Sequence, residues 1–304
     1  MKLRLLIIAL LAGVVLCTVP SLVQAQTLKP FVLGTDPQQA DLDKVVASTK
    51  TALQGQGFEV VGSYSPYPGA VVIAVTSDAL KANAAKSDFG GYGAAQRIAV
   101  TKVKDNIQVS YTNPPYFAAA YRMKDNLADV KAKLEAALGK QKEFGSEKGL
   151  TEKELRKYRY MFGMEKFDSL SDHRLVEFKS YQDAISAVEA GLAAGKTGVT
   201  KVYRIDIPGK EEAVFGVAIT KGKGADKYIM DNIDFGDIKC TPHLPYEILV
   251  SDKTAYHLYA RFRIAIDFPD LSMMGSHSFA SIMSAPKAIN DVLMETVKPG
   301  ITNQ

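Results

Sequence analysis

The sequence predicts an α+β fold made of two repeated units, each with an antiparallel-rich sheet packed against helices. Three observations predict it. Short runs rich in Val, Ile and Tyr, four in each half, are separated by turn residues and by stretches of helical periodicity. The order helix-strand-strand-helix-strand-strand-helix occurs over 41–138 and again over 181–297, which points to internal duplication. Between the two, 140–166 is rich in Lys, Glu, Arg and aromatics and has the character of a connector. The expected organisation is a signal peptide over 1–25, a first unit over 26–139, a charged linker over 140–170 and a second unit over 171–304.

The chain begins with Lys2 and Arg4, then an apolar run from Leu5 to Val19 broken only by Thr18, then Pro20 and Val23-Gln24-Ala25. Positive charge, apolar run and small residues at the −3 and −1 positions form the secretory pattern. The run is shorter than the roughly 20 apolar residues of a bilayer-spanning helix, so cleavage is favoured over an uncleaved anchor. A lipid anchor at Cys17 is disfavoured, because Leu16 stands where a small residue is needed. The expected location is periplasmic or secreted, with no integral membrane segment after cleavage. Without Lys2 and Arg4 the basic residues fall from 37 to 35 against 33 acidic ones, a balance that excludes an electrostatic footprint for nucleic acid. Cys240 is then the only cysteine, so no intramolecular disulfide is possible, and burial is its expected state.

In the first unit, Leu42, Val45, Val46, Thr49 and Leu53 fall at helical spacing, and Gly55 and Gly57 stop that helix. Strands are predicted over 58–64 and 70–76, with Ser65-Pro66-Tyr67-Pro68-Gly69 as the turn between them. Ser77 suits the N-cap of a helix reaching about 86. Gly90-Gly91-Tyr92-Gly93 leads into a strand, whereas a phosphate-cradling loop must open a helix, so a nucleotide site is rejected. Strands over 97–104 and 107–112 and a helix over 127–138 complete the unit. The second unit reads as a helix over 181–194, strands over 199–207 and 213–220, a helix over 225–233, strands over 243–251 and 255–266, and a helix over 285–297.

The first half contains GFEVVGSY, then RIAVTKVKDNIQVSYTNPPYFAAAY and a closing helix. With its Asn113-Pro114-x-x-x-Ala118 step it resembles the bacterial domain-of-unknown-function family 302. The second half, with HLPYEILVSDKTAYHLYARFRIAIDFPDL, resembles a divergent copy that has Phe268-Pro269 in place of Asn-Pro. The resemblance implies a small α+β fold, often dimeric, and carries no functional residues over.

Strand parity in the last hairpin yields the candidate site. Leu244, Tyr246, Ile248 and Val250 share one face of the first strand, and Tyr256, Leu258, Ala260 and Phe262 one face of the second. These sets meet if Ser251 pairs with Ala255 across a three-residue loop. His243, Glu247, His257, Tyr259, Arg261 and Arg263 then gather on the opposite face, with Cys240 just upstream. Two guanidiniums on one side suit a carboxylate or phosphate, while the ordinary alternative is the solvated face of an antiparallel sheet. The first hairpin, pairing Ile98 and Val100 with Val109 and Tyr111, offers only Arg97, Thr101, Gln108 and Ser110 on its reverse face. Cys240-x-x-His243, with His257 or Met273-Met274-x-x-His277, supplies soft ligands for copper or zinc, though not the four regularly spaced ligands of a structural zinc site. No Gly-x-Ser-x-Gly elbow marks a nucleophile; His173 reads as a strand-entry residue, Glu211-Glu212 as solvated charge, and Tyr64, Tyr67 and Tyr92 as candidate cleft walls.

The resulting expectation is a non-enzymatic exported binding or interaction protein for a small anion or a protein partner, with no cofactor. A metal-binding protein using Cys240 and His243 is the first alternative, and a small hydrolase or redox enzyme the second. A homodimer is compatible with either.

Overall fold

Runs of β-branched and aromatic residues, punctuated by glycine and proline, assemble into two antiparallel sheets in a computed structural model that describes residues 26–36 and 41–298. The expected signal peptide over 1–25 lies outside the described residues. The first sheet runs in the order β3 (Glu59–Tyr64), β4 (Ala70–Thr76), β5 (Gln96–Val103), β6 (Asn106–Thr112), β2 (Phe31–Leu33) and β7 (Lys142–Phe144). The second runs β10 (Val199–Asp206), β11 (Glu212–Ile219), β12 (Tyr246–Ser251), β13 (Thr254–Tyr256) and β9 (Arg174–Glu177). A two-stranded ribbon pairs β1 (Thr27–Leu28) with β8 (Leu150–Thr151).

The helices are α1 (Leu42–Gly55), α2 (Asp78–Lys86), α3 (Pro114–Ala120), α4 (Ala128–Leu138), α5 (Glu152–Leu155), α6 (Leu170–His173), α7 (Tyr181–Ala194), α8 (Asp226–Ile233), α9 (Ala260–Asp267) and α10 (Ala285–Val297). Asp41 caps α1 by accepting from the Lys44 amide, and Ser180 caps α7 by accepting from the Asp183 amide. Among the described residues, no helix is long and apolar enough to cross a membrane.

Four layers result. α1, with α4 beside it, packs on β3 and β5, and α7, with α10 beside it, packs on β10, β12 and β13. The faces left over meet each other, so helices, sheet, sheet and helices share one continuous apolar core. The fold is therefore α+β, with antiparallel sheets packed on helices.

The two sheets share a strand order over five strands, and the first adds β7. Both sheets place the strand preceding the first helix beside the fourth strand of the helix-strand series: β2 beside β6, and β9 beside β13. Both edge strands bulge at one place, between Val60 and Gly62 in β3 and between Lys201 and Tyr203 in β10. The row just beyond the bulge reads Gly62, Ala74, Arg97 across the first sheet and Tyr203, Gly216, Glu247 across the second. These matching rows also touch: a Cβ on Gly62 would sit 2.1 Å from the Val202 carbonyl oxygen and 3.2 Å from the Tyr203 Cβ. A bare backbone at Gly62 is what lets the two edge strands cross so closely.

The last predicted hairpin is corrected. Ser251 pairs with Thr254 across a two-residue turn, Asp252-Lys253, with Asp252 in the left-handed region. The expected strand over 255–266 ends at Tyr256 and continues as α9. Every residue of α9 except Arg261 is buried, so apolar groups recur on all sides and the two-residue period is as good a fit as the helical one. Other departures are smaller. Pro114 opens α3, a helix for which no element is predicted, and the expected connector contributes β7 to the first sheet.

Candidate functional site

The charged residues of the second half are drawn together by α9 rather than by strand alternation. Arg263 and Asp267 stand one helical turn apart on α9, and both face β12 and the turn Thr241–His243. The Arg263 guanidinium donates to Asp267, to the carbonyl of His243 and, at 3.3 Å, to Glu247 Oε2. From the first sheet, Arg97 donates to Glu247 Oε1 at 2.6 Å and to the Pro242 carbonyl at 2.8 Å. His243 completes the cluster, donating from Nδ1 to Asp267 Oδ2 at 2.8 Å and accepting at Nε2 from the Tyr246 hydroxyl at 3.0 Å.

Two arginines thus face two carboxylates in a space closed to solvent; none of the five residues is more than 5 % exposed. Burial pushes the His243 imidazole down to about 4 despite the Asp267 hydrogen bond, so the ring is neutral at neutral pH. Burial alone would raise the Asp267 carboxyl, but Arg263 and His243 hold it below the usual carboxylate range. A cavity of about 10 Å³ borders Arg97, Tyr92 and Tyr121, room for no more than a water molecule. The cluster joins the two sheets. It offers a substrate no way in.

More polar contacts cross the same seam. Thr101 meets Thr241 at 2.9 Å, Tyr67 meets Thr241 at 2.8 Å, and Tyr64 donates to Asp226 Oδ2 at 2.8 Å. Tyr64 and Tyr67, read as cleft walls, are therefore ties between the halves. Glu212, read as solvated charge, is buried, and its Oε1 accepts from the Gly91 amide at 2.8 Å. The glycine turn Gly90–Gly93 does present an amide to an anion, and that anion is the chain's own carboxylate.

The six residues predicted to share one patch divide. His243, Glu247 and Arg263 meet in the buried cluster. His257 is buried elsewhere, bonded to Asn290 at 3.0 Å, and burial takes its pKa down to about 4. Tyr259 and Arg261 reach the surface: Arg261 lies 5.0 Å over the Tyr259 ring and is clamped by both oxygens of Glu165. Sequence reasoning missed Asp267, Tyr246 and the role of Arg97; the four-residue spacing of Arg263 and Asp267 was the available signal. Cys240 is buried, and burial raises its thiol well above the usual range, with Asp234 adding to the effect. Both ring nitrogens of His243 are engaged, and among the described residues no group of three or more His, Cys, Asp or Glu is placed to hold a metal ion.

Two open grooves lie at matching places, each between the helix that follows the fourth strand and the closing helix. In the first half, Pro115 and Ala119 of α3, Ala128 and Lys131 of α4, and Lys153, Arg156 and Lys157 at α5 surround about 810 Å³. Arg156 is tied to Glu152, and Lys131 to Glu143 and Glu135, but neither Lys153 nor Lys157 has an ion-pair partner among the described residues. In the second half, Tyr259 just before α9, Arg261 of α9, Lys287 and Asn290 of α10, and the side chains of Met164, Met273, Met274 and Met283 surround about 640 Å³. Comparison of the chain with family models, with curated proteins and with solved structures found no match.

Proposed function

We propose that the chain is an exported, non-enzymatic binding protein whose two halves arose by duplication, and that it takes a small anion in the groove between α3, α4 and α5. The observation that carries the anion reading is the charge of that groove. Four cations line it against one lining carboxylate, Glu152, and two of the lysines are unpaired among the described residues. The anion reading thereby leaves the last hairpin, where Arg263 is buried and Arg261 is already neutralised by Glu165. Export rests on the secretory pattern of 1–25. Duplication is supported by matching strand order, bulges and rows.

A binding role is preferred to catalysis because the titratable cluster of the second half is paired and closed to solvent. The metal alternative is weakened by the two hydrogen bonds on His243 and the raised thiol of Cys240. Calorimetric titration with inorganic phosphate, pyrophosphate and citrate tests the reading. At least one should bind, and exchanging Lys153 and Lys157 for alanine should weaken it about tenfold or more, with a steep dependence on salt. Binding that ignores both substitutions, or no binding by any of the three, would remove the proposal. N-terminal sequencing of the exported protein should begin at Gln26.

A further inference from the structure

The groove of the second half occupies the same seam but carries different chemistry. Of its walls, Met274 is 77 % exposed and Met283 80 % exposed, and Met164 and Met273 stand beside them with Phe279. Met274 and Met283 share one groove with the partly covered Met164 and Met273 and with Phe279, which gives it an apolar wall open to a ligand. Among the described residues the exposed large apolar side chains are Met161, Phe162, Leu170, Phe235, Met274 and Met283, and none lines the first-half groove.

Charge narrows the occupant. Arg261 is neutralised by Glu165 and Lys287 by Asp291, so the groove presents no net charge to a ligand. An anion gains nothing here that it would not gain in the first half. Shape and polarisability narrow it further. Thioethers pack favourably against aromatic rings, with sulfur about 5 Å from the ring, and their flexible chains adapt to planar ligands. Arg261 stacked on Tyr259 adds a flat platform to the same wall. Asn290 Oδ1 accepts from His257 Nε2, and its amide hydrogens have no partner among the described residues, which suits an acceptor oxygen on the ligand. A volume of about 640 Å³ is that of a small-molecule site.

We infer that the groove between α9, α10 and the 271–283 segment binds an uncharged, ring-bearing small molecule with a carbonyl or hydroxyl acceptor. The site is independent of the anion groove and does not require that reading.

Nile red, which is neutral, planar and carries a carbonyl, is the probe. Titrated into the full exported chain, it should bind saturably at one site with a blue shift in emission. Exchanging Met274 and Met283 together for serine should weaken it about tenfold, because several buried methylene and thioether contacts are lost. The same pair exchanged for leucine, which keeps the apolar surface, should stay within about threefold of the parent. Both residues are so exposed that the variants retain the fold, which a thermal melt verifies. Lys153→Ala with Lys157→Ala should leave dye binding unchanged, so loss of the anion site and loss of this one are read separately. Three results would each overturn the inference: no saturable binding, binding indifferent to the serine pair, or methionine methyl resonances that respond to silver(I) and not to the dye. The last would make the groove a soft-metal site.

Discussion

Arg97 and Glu247 hold matching places in the two sheets, each in the row just beyond an edge-strand bulge, and they pair with each other across the seam. The helices that follow the hairpins extend the comparison. The fourth residue is Phe117 in α3 and Arg263 in α9, and the residue seven after the helix start is Tyr121 in the first half and Asp267 in the second. The first half therefore backs its arginine with rings, the Arg97 guanidinium lying 5.1 Å over Phe117. The second half backs its glutamate with a second arginine and a second carboxylate. Identical halves would set arginine against arginine, or glutamate against glutamate, at the centre of a buried interface. Unlike halves bring the sum of charge to zero. These faces are therefore complementary to one another and not to themselves.

The largest effect should come from unbalancing that sum. Glu247→Leu leaves two buried arginines facing one carboxylate, and Arg97→Leu leaves two carboxylates facing one arginine. Each should cost about 3–5 kcal/mol, the penalty for stranding a buried charge. The double variant restores neutrality, since Arg263 and Asp267 remain paired. It should be less destabilised than either single variant in urea unfolding. Additive losses would mean that the cluster is a set of separate bonds and not one balanced group.

What the sequence made legible follows from where periodicity is distinctive. The helices over 41–53 and 181–194 bury one face only, and the first hairpin alternates over a full strand, so both were readable. α9 is buried almost all round, and its apolar residues fit either period; reading it as a strand carried Arg261 to the wrong partners. Arg263 still reached Glu247 and His243, because burial gathered them by another route. The seam itself was not readable, since it depends on two sheets meeting face to face. Arg97 looked like one polar residue on an outer face, and only the facing Glu247 shows why it is there. Glu212 looked solvated for the same reason: its partner, Gly91, lies in the other half.

A subtler contrast concerns the first residues of α2 and α8. Asp78 is exposed beside Lys81, whereas Asp226 is buried and accepts from Tyr64 of the other half. Burial pushes the Asp226 carboxyl up to about 7, against the opposing effect of the Tyr64 and Ile219 hydrogen bonds. A folded pKa above the unfolded one, 3.8, means that the folded state binds the proton more tightly. That stabilisation is complete below the unfolded value and fades as pH rises through 7. Asp226→Asn keeps an acceptor for Tyr64 and cannot ionise. Its melting temperature relative to the parent should therefore climb between pH 4 and 8, and the control exchange Asp78→Asn should not reproduce that climb. His243 and His257, lowered to about 4, act in the opposite direction, but they are common to parent and variant and cancel in the difference. A flat difference for Asp226→Asn would show that this carboxylate meets water in the folded protein.

The smallest expected effect lies where the halves agree. α1 and α7 take the same place in their layers, and both begin with a side chain that accepts from the third helical amide at 3.1 Å, Asp41 from Lys44 and Ser180 from Asp183. Replacing either cap by alanine should cost about 0.5–2 kcal/mol. Asp41 adds a negative charge at the positive end of the helix dipole, a contribution that salt screens. Asp41→Ala should thus cost slightly more than Ser180→Ala at low ionic strength and converge with it as salt is added, in parallel urea melts. A large and salt-independent gap would mean that one helix is held by its neighbours and the other by its cap, and the agreement of the outer layers would then be one of position without a shared source of stability.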